Sequence, residues 1–548
     1  MQNAFVKAAT LDPALTNVRT ENGALSYATM GSALLDQFGK AGTARGRDIN
    51  TVWAEQSKLW ADDPDTALRF PFYLRMITRQ TNVNGGKTDK VQRGQGAKDE
   101  AFKRLLWIAK YHPDTFYANL WLVPVVGSWK DLWVLLSMDK ELDRKAFFKV
   151  MAEGINNESS KDLVKKYMPR IRPVGKCKTA WAKQTNEDAK AFAKFAGWTY
   201  MDYRNFKSTG KAHTFQTYMC QGLYSKIDWN TIPGKALLKL VTGKFLDAHK
   251  LNDSYLEWLK KQPVAKFNGY AFELGHQLGD GRFNQPKLIT KLTIDKQFKS
   301  LIQTASKDGG NITGNVLCAL DTSGSMTSRV NGTTDITSYD VCVSLGIYFS
   351  ELNTGAFHNV VAMFDDTSEL MTISGEFSDK WSQIRNRRDA MGSTNFQSLI
   401  DLIVATRKKR PEIPLSEFPT TLLVISDNQF NPSYNGGCWS RNTETYPDEQ
   451  TNYQAAIRKL RAVFPQEFVD EFKIVWWYCA GRPTSDFPTN MENGGTYLIS
   501  GFDGSVISFI LGGEVKVDET GKKKAPTMEE VVYDALHQEV LELLSVKD

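Results

Sequence analysis

Val316-Leu317-Cys318-Ala319-Leu320-Asp321-Thr322-Ser323-Gly324-Ser325-Met326 is the stretch from which the rest of the chain is read. An apolar run of this length, stopped by an acidic residue and a glycine-containing turn, predicts a buried strand of a parallel sheet. The pattern Asp321-x-Ser323-x-Ser325 then sets three oxygen donors on one tight loop at the strand's carboxyl end. Hard divalent cations such as Mg²⁺ take oxygen ligands and commonly retain water or a partner's carboxylate. Open α/β sheets bind ligands beyond the carboxyl ends of their strands.

Working outward, strands and helices alternate. Expected are a helix over 336–352, a strand Val360 to Phe364, helices near 378–386 and 396–409, and a strand over 420–426. A Pro-, Gly- and Asn-rich surface loop follows at 430–451. Then come a helix over 452–464, strands Lys473 to Cys479 and Thr496 to Ser500, and a helix Ser505 to Leu511. This alternation predicts a mostly parallel, doubly wound sheet. Val532, Leu536, Val540 and Leu543 share one face of an expected final helix. Asp365 and Asp366, which end a strand, read either as carboxylates near the first loop or as surface turn residues.

The first loop resembles that of the metal-ion-dependent adhesion site (MIDAS) of von Willebrand factor A (vWA) domains. The resemblance implies two further loops. Gly392-Ser393-Thr394-Asn395 looks like the second, with Thr394 as ligand. Thr421 to Asp427, another apolar strand ending in Asp, looks like the third, with Asn428 where the family often has Gly. The implied ligand set for Mg²⁺ (or Mn²⁺) is Asp321, Ser323, Ser325, Thr394 and Asp427, with one position left open for an acidic residue of a protein partner. Asp321-Thr322-Ser323-Gly324 also looks like an aspartic-protease signature, but that chemistry needs two carboxyls sharing a proton, and no second Asp-Thr-Gly or Asp-Ser-Gly occurs.

The 68 basic and 62 acidic residues give a net charge of +6 that is unevenly spread. Residues 1–300 are strongly basic, above all 161–300, and the remainder is acidic. A basic half beside an acidic half points to a polyanion-binding module joined to one that is not. Lys161 to Lys194 is the densest basic stretch. It includes Lys165, Lys166, Arg170, Arg172, Lys176, Lys178 and Lys183, and Lys207, Lys211 and His213 extend it. Trp181, Phe192, Phe195, Trp198, Tyr200 and Tyr203 are interleaved. Cations that track phosphates, with aromatic platforms for bases, are the means of gripping single-stranded RNA. Phe192 and Phe195, at helical spacing, read as core.

From about 51 to 300 the chain reads as helix after helix, broken by Pro and Gly, as in a HEAT-like α-solenoid. Phe102, Leu105, Leu106 and Ala109 share one helix face, as do Leu237, Val241, Phe245 and Ala248. Val126-Gly127-Ser128-Trp129-Lys130-Asp131-Leu132, Tyr203-Arg204 and Ile227-Asp228-Trp229-Asn230-Thr231-Ile232-Pro233 resemble stretches of the Ro ribonucleoprotein family, in which a TROVE helical module precedes a vWA domain. A related, less characterised family has the same layout. The resemblance implies a helical module that binds single-stranded RNA ends and small structured RNA.

The expected organisation is therefore a helical-repeat domain over 1–300, a linker over 301–314 at Asp308-Gly309-Gly310-Asn311, and an α/β domain over 315–548. No apolar run is long enough for a membrane span, and no signal peptide is read at the start. The six cysteines (177, 220, 318, 342, 438 and 479) form no C-x-x-C, which fits a reducing cytoplasm. H-E-x-x-H, G-x-S-x-G and phosphate-loop patterns are absent. The expected function is a non-catalytic, Ro-like RNA-binding protein without DNA specificity. The alternative is a metal-dependent protein adaptor or a structural assembly subunit without RNA.

Overall fold

Val316–Asp321 is the first strand, β1, of a six-stranded sheet, and all of its residues are buried. The other strands are β2 Val360–Phe364, β3 Ser368–Thr372, β4 Thr421–Ser426, β5 Lys473–Tyr478 and β6 Thr496–Ser500. Their order across the sheet is β6-β5-β4-β1-β2-β3. All neighbours are parallel except β2 and β3. Strands covered on both faces need no polar side, so β1 and β4 read as unbroken apolar runs. The edge strand β3 is half exposed and carries Glu369, so it gives no such signal in the sequence. Leu317 pairs with Leu422 on one side of β1, and Cys318 with Val361 on the other. The chain leaves β1 in one direction to build β2 and β3, then returns to its opposite side to build β4, β5 and β6. The order thus reverses between β1 and β4, which opens a crevice at the carboxyl ends of those two strands.

The computed structural model describes residues 18–83, 86–208, 215–279, 286–330, 332–333, 335–387, 392–433, 450–481, 486–511, 516–517, 523–524 and 526–547. The chain divides into two compact units. One joins the segment up to Gly46 to Asp228–Asp534, and the other joins Arg47–Ile227 to the segment from Ala535.

In the sheet unit, helices α1 Ala33–Ala41, α2 Leu288–Lys307, α3 Ser338–Leu352, α4 Phe377–Asn386, α5 Phe396–Lys409 and α6 Asn452–Arg461 pack around the strands. Helix α3 starts at a capping box of Thr337 and Asp340 and is buried over nearly its whole length. Gly346 lets it approach β1: a Cβ there would stand 2.2 Å from Leu320 Cδ2. Helix α1 lies against β6, where a Cβ on Gly39 would meet Leu498 at 2.8 Å and Gly42 N–H donates to Ser500 Oγ at 3.0 Å.

Two boundaries differ from the sequence expectation. The expected linker over 301–314 is helical through Lys307, and the region before it belongs to the sheet unit. Phe298 stacks on Phe377 at 4.1 Å, and Asp295 accepts from Ser378 N–H at 2.8 Å. The segment from Ala535 belongs instead to the helical unit: Glu542 pairs with Arg69 at 3.0 Å, and Lys547 N–H donates to Thr115 Oγ1 at 2.9 Å. The expected final helix ends at Leu536, and a short 3₁₀ turn follows at Leu541–Leu543. Val532, Leu536 and Val540 are therefore buried while Leu543 is exposed.

The helical unit is a succession of short helices, among them Ile49–Asp62, Pro64–Arg75, Lys98–Tyr111, Trp129–Met138, Arg144–Asn156, Lys161–Tyr167, Ala180–Phe195 and Tyr200–Ser208. Side-chain oxygens of Asp48, Asp63, Asp143 and Thr179 cap four of them. Its interior holds a fully buried Arg104, paired with Glu55 and Glu100 at 2.9 Å each. The protein thus combines a helical unit with a mostly parallel α/β sheet. No described helix is long and apolar enough to cross a membrane.

Candidate functional site

The loops after β1 and β4 face each other across the crevice. Asp321 is fully buried; Ser323 N–H donates to its Oδ1 at 2.9 Å and Ser426 Oγ to its Oδ2 at 2.5 Å. Ser323 Oγ and Ser325 Oγ lie 3.1 Å apart. Asp427 and Thr394 are also buried. Backbone bonds lace the three loops together: Gly324 N–H donates to Gly392 O at 3.1 Å, and Asn431 N–H to Thr394 O at 2.9 Å. The structure therefore brings Asp321, Ser323, Ser325, Thr394 and Asp427 to one edge of the sheet.

Asn428 has φ of +61°. This is the left-handed region, which glycine and asparagine tolerate and most side chains do not. Its N–H donates to Ser426 Oγ at 2.9 Å, so the turn directs Asp427 without needing a glycine. Asp366 supports the second loop by accepting from Ser393 N–H at 2.9 Å and from Ser393 Oγ at 2.5 Å. Asp365 is a turn residue that accepts from Thr367 N–H at 3.2 Å.

Burial pushes the Asp321 carboxyl up to about 7, and the nearby charge of Asp427 adds to the shift, while bonds from Ser323 and Ser426 oppose it. A buried carboxyl whose proton affinity is raised beside a second buried carboxyl is poised either to hold a proton or to meet a cation. Among the described residues no group of three or more His, Cys, Asp or Glu could hold a metal. The donors at this edge are two carboxyls and three hydroxyls, a hard all-oxygen set of the kind Mg²⁺ or Mn²⁺ accepts.

One contributor gave no signal in the sequence. Val18–Arg19 pairs with Leu25–Ser26, and the tip of this hairpin sits against the second and third loops. Thr20 Oγ1 donates to Phe430 O at 2.7 Å, Glu21 N–H to Gln429 Oε1 at 2.6 Å, and Asn22 Nδ2 to Gln429 O at 2.5 Å. Asn22 Nδ2 also lies 3.5 Å from Thr394 Oγ1. Only the turn-favouring Asn22-Gly23 dipeptide hints at the hairpin, and nothing local says where its tip goes.

In the helical unit, Lys166, Arg170, Arg172, Lys176, Lys178 and Lys183 are exposed and Lys165 is half-buried. None of these seven forms an ion pair among the described residues. Lys165 lies over the Phe206 ring at 5.2 Å and Lys166 over Tyr167 at 5.3 Å. Lys207 is half-buried: its ammonium donates to Lys165 O at 3.2 Å and to Met168 O at the end of the Lys161–Tyr167 helix. Lys211 and His213 lie outside the described residues. The aromatics divide. Phe192 and Tyr203 are core, with Phe192 packed on Phe148 at 5.5 Å and Tyr203 OH donating to Pro169 O at 2.7 Å. Trp181, Phe195 and Tyr200 are 53%, 45% and 49% exposed, so the core expectation fails for Phe195.

Fold and sites together define a two-unit protein with an oxygen-lined loop cluster at the switch point of its sheet and a basic, aromatic face on its helical unit. Residues 315–543 match the model of a family described as Domain of unknown function (DUF7788), and residues 20–227 that of Domain of unknown function (DUF2828). The chain is 22% identical over 544 residues to the Uncharacterized protein L728 of Acanthamoeba polyphaga mimivirus, covering 90% of this chain and 84% of the viral protein.

These families are distinct from the TROVE and vWA families, so the resemblance to Ro ribonucleoproteins does not hold. The stretches that suggested it solve local packing problems. Gly127-Ser128-Trp129-Lys130-Asp131 is a turn and capping box, with Asp131 bonded to Arg75 at 2.6 Å and Trp129 packed on Gly154. Tyr203 anchors the backbone at Pro169. Trp229 and Ile232 are buried around a 3₁₀ turn capped by Asp228. Such solutions recur wherever short helices pack, whatever the family.

Proposed function

We infer that this chain is a non-catalytic RNA-binding protein that grips single-stranded RNA on the 161–200 face of its helical unit. A HEAT-like stacking of the helices fits this reading, as does a cytoplasmic location, given free buried thiols at Cys318, Cys342 and Cys479. The observation that carries it is the exposure of Trp181, Phe195 and Tyr200 in a stretch whose seven cations form no ion pair among the described residues. Exposed aromatics cost solvation unless something stacks on them, and unpaired cations attract phosphates. The experiment is ultraviolet crosslinking of bound oligouridylate followed by peptide mapping. Adducts on peptides containing Trp181, Phe195 or Tyr200 are expected. No retained RNA at low salt, or adducts confined to 315–548, would overturn the reading.

A second reading is favoured by the Asp321–Asp427 pair at the switch point: a divalent cation held there would recruit an acidic group of a protein partner. Asp321, Ser323, Ser325, Thr394 and Asp427 would hold Mg²⁺ or Mn²⁺, which would supply an electrophilic coordination position. Mn²⁺ titration followed by electron paramagnetic resonance tests it. Saturable binding lost in Asp321→Ala supports the reading, and no binding by the unaltered chain removes it.

A further inference from the structure

A cleft of about 630 Å³ opens along α6 of the sheet unit, in the size range of small-molecule pockets. Its chemistry comes from Gln450, Tyr453, Arg458, Arg461 and Glu492. Arg458 and Arg461 are three residues apart and so share a helix face. Basic residues in a last helical turn often only complement the helix dipole. Here, however, Lys459 is spent on Asp401 at 2.6 Å, whereas Arg458 and Arg461 are exposed and have no ion pair among the described residues. Tyr453 forms a fixed wall, because its hydroxyl donates to Gly494 O at 2.6 Å. Burial pushes that hydroxyl up to about 12 and Tyr27 adds to the shift, while Arg461 opposes it. Gln450 Oε1 is buried with no hydrogen-bond partner among the described residues. Glu492, exposed at the rim, is the one anion of the lining and forms no ion pair among the described residues.

We propose that this cleft binds a nucleoside monophosphate. Two guanidiniums match a phosphate monoester in charge and donor geometry. The carboxylate of the lining would repel a second phosphate but accepts from the hydroxyls of a ribose diol, as acidic residues do in dinucleotide sites. The Tyr453 ring offers a base a face to stack on.

The test is isothermal titration of the full chain with adenosine 5′-monophosphate, uridine 5′-monophosphate, adenosine and inorganic phosphate. One-to-one binding of a nucleoside monophosphate is expected, with adenosine and phosphate each at least about tenfold weaker. Arg458→Gln with Arg461→Gln should weaken nucleotide binding at least about tenfold and leave adenosine unchanged. Glu492→Gln should weaken the nucleotide and leave phosphate unchanged. Both arginines are exposed, and an unaltered melting temperature confirms that the double variant folds. No heat from either nucleotide at millimolar concentration, phosphate binding as tightly as the nucleotide, or a double variant that binds normally would each overturn the proposal. Lys178→Gln with Lys183→Gln, which addresses the RNA face, should leave nucleotide binding intact.

Discussion

Replacing Lys178 and Lys183 by glutamine gives the RNA reading a quantitative form. Seven cations there, Lys165, Lys166, Arg170, Arg172, Lys176, Lys178 and Lys183, form no ion pair among the described residues. Each phosphate contact on a single strand releases about 0.7 of a counterion, so full engagement gives a slope of log affinity against log salt of about −5. Affinity should then fall by about 10³ between 50 and 200 mM salt. Exposed Glu187 and Asp202 in the same stretch oppose phosphates and make this an upper bound. The double variant removes two contacts, so the slope should relax to about −3.5. Trp181→Ala should instead cost about 1–3 kcal/mol per stacked base and leave the slope unchanged. Filter binding of oligouridylate across a salt series reads both quantities. A slope that is the same in the double variant and the unaltered chain would refute the argument, whatever the absolute affinity.

Three further outcomes test the packing. Asp131→Ala strips a buried carboxylate from Arg75 and Lys98 and removes half of a capping box, and should cost about 3–5 kcal/mol in urea unfolding; under about 1 kcal/mol would contradict the buried pairing. Burial raises Asp295 to about 6, so the folded chain binds a proton that the unfolded chain releases, and stability falls as pH rises through about 6. Asp295→Asn can keep both contacts to Ser378 and should raise stability at pH 8 by about 1–3 kcal/mol with little gain at pH 4, as measured by thermal melts. His276 lies between Asp340 at 3.1 Å and Asp335 at 3.3 Å, and its bond to Asp340 raises its pKa. Its contribution is fully present below the ordinary histidine value and is lost as pH rises through the raised one, so the melting-temperature gap to His276→Gln should shrink with rising pH. A gap that widens would show that the imidazole is not held charged by those carboxylates.

What the sequence disclosed follows from what each residue must satisfy locally. Val316–Asp321 and Thr421–Ser426 were legible because both faces of those strands are covered, and the acidic residues that follow apolar runs mark their ends. Those same ends give Asp321 and Asp427, whereas Thr394 sits in the Gly392-Ser393-Thr394-Asn395 turn ahead of a helix. The strand Ser368–Thr372 was not legible, because its half-exposed residues answer to solvent on one side. Nor was the allegiance of α2, because a helix's pattern states that it has an apolar face but not which surface covers it; only the Phe298–Phe377 stack decides that. Lys207 was read for its charge, whereas its ammonium serves backbone carbonyls at a helix end. Asn22 approaches Thr394 across most of the sheet unit's sequence, a distance over which no local pattern carries information.

The interleaving of the two units bears on how the chain must be made and cut. Arg47–Ile227 emerges from the ribosome early, yet Arg69, Asn119 and Thr115 find Glu542, Ser545 and Lys547 only once the segment from Ala535 has been synthesised. Domains that close as they are translated need all their parts in hand, so the helical unit waits for the entire sheet to be produced before it is complete. The sheet unit likewise depends on a segment made before the helices, which places α1 against β6. Expressing either unit as one uninterrupted fragment should therefore yield an unfinished core, and a fusion that grafts the segment from Ala535 directly after Ile227 is the shorter route to a folded helical half.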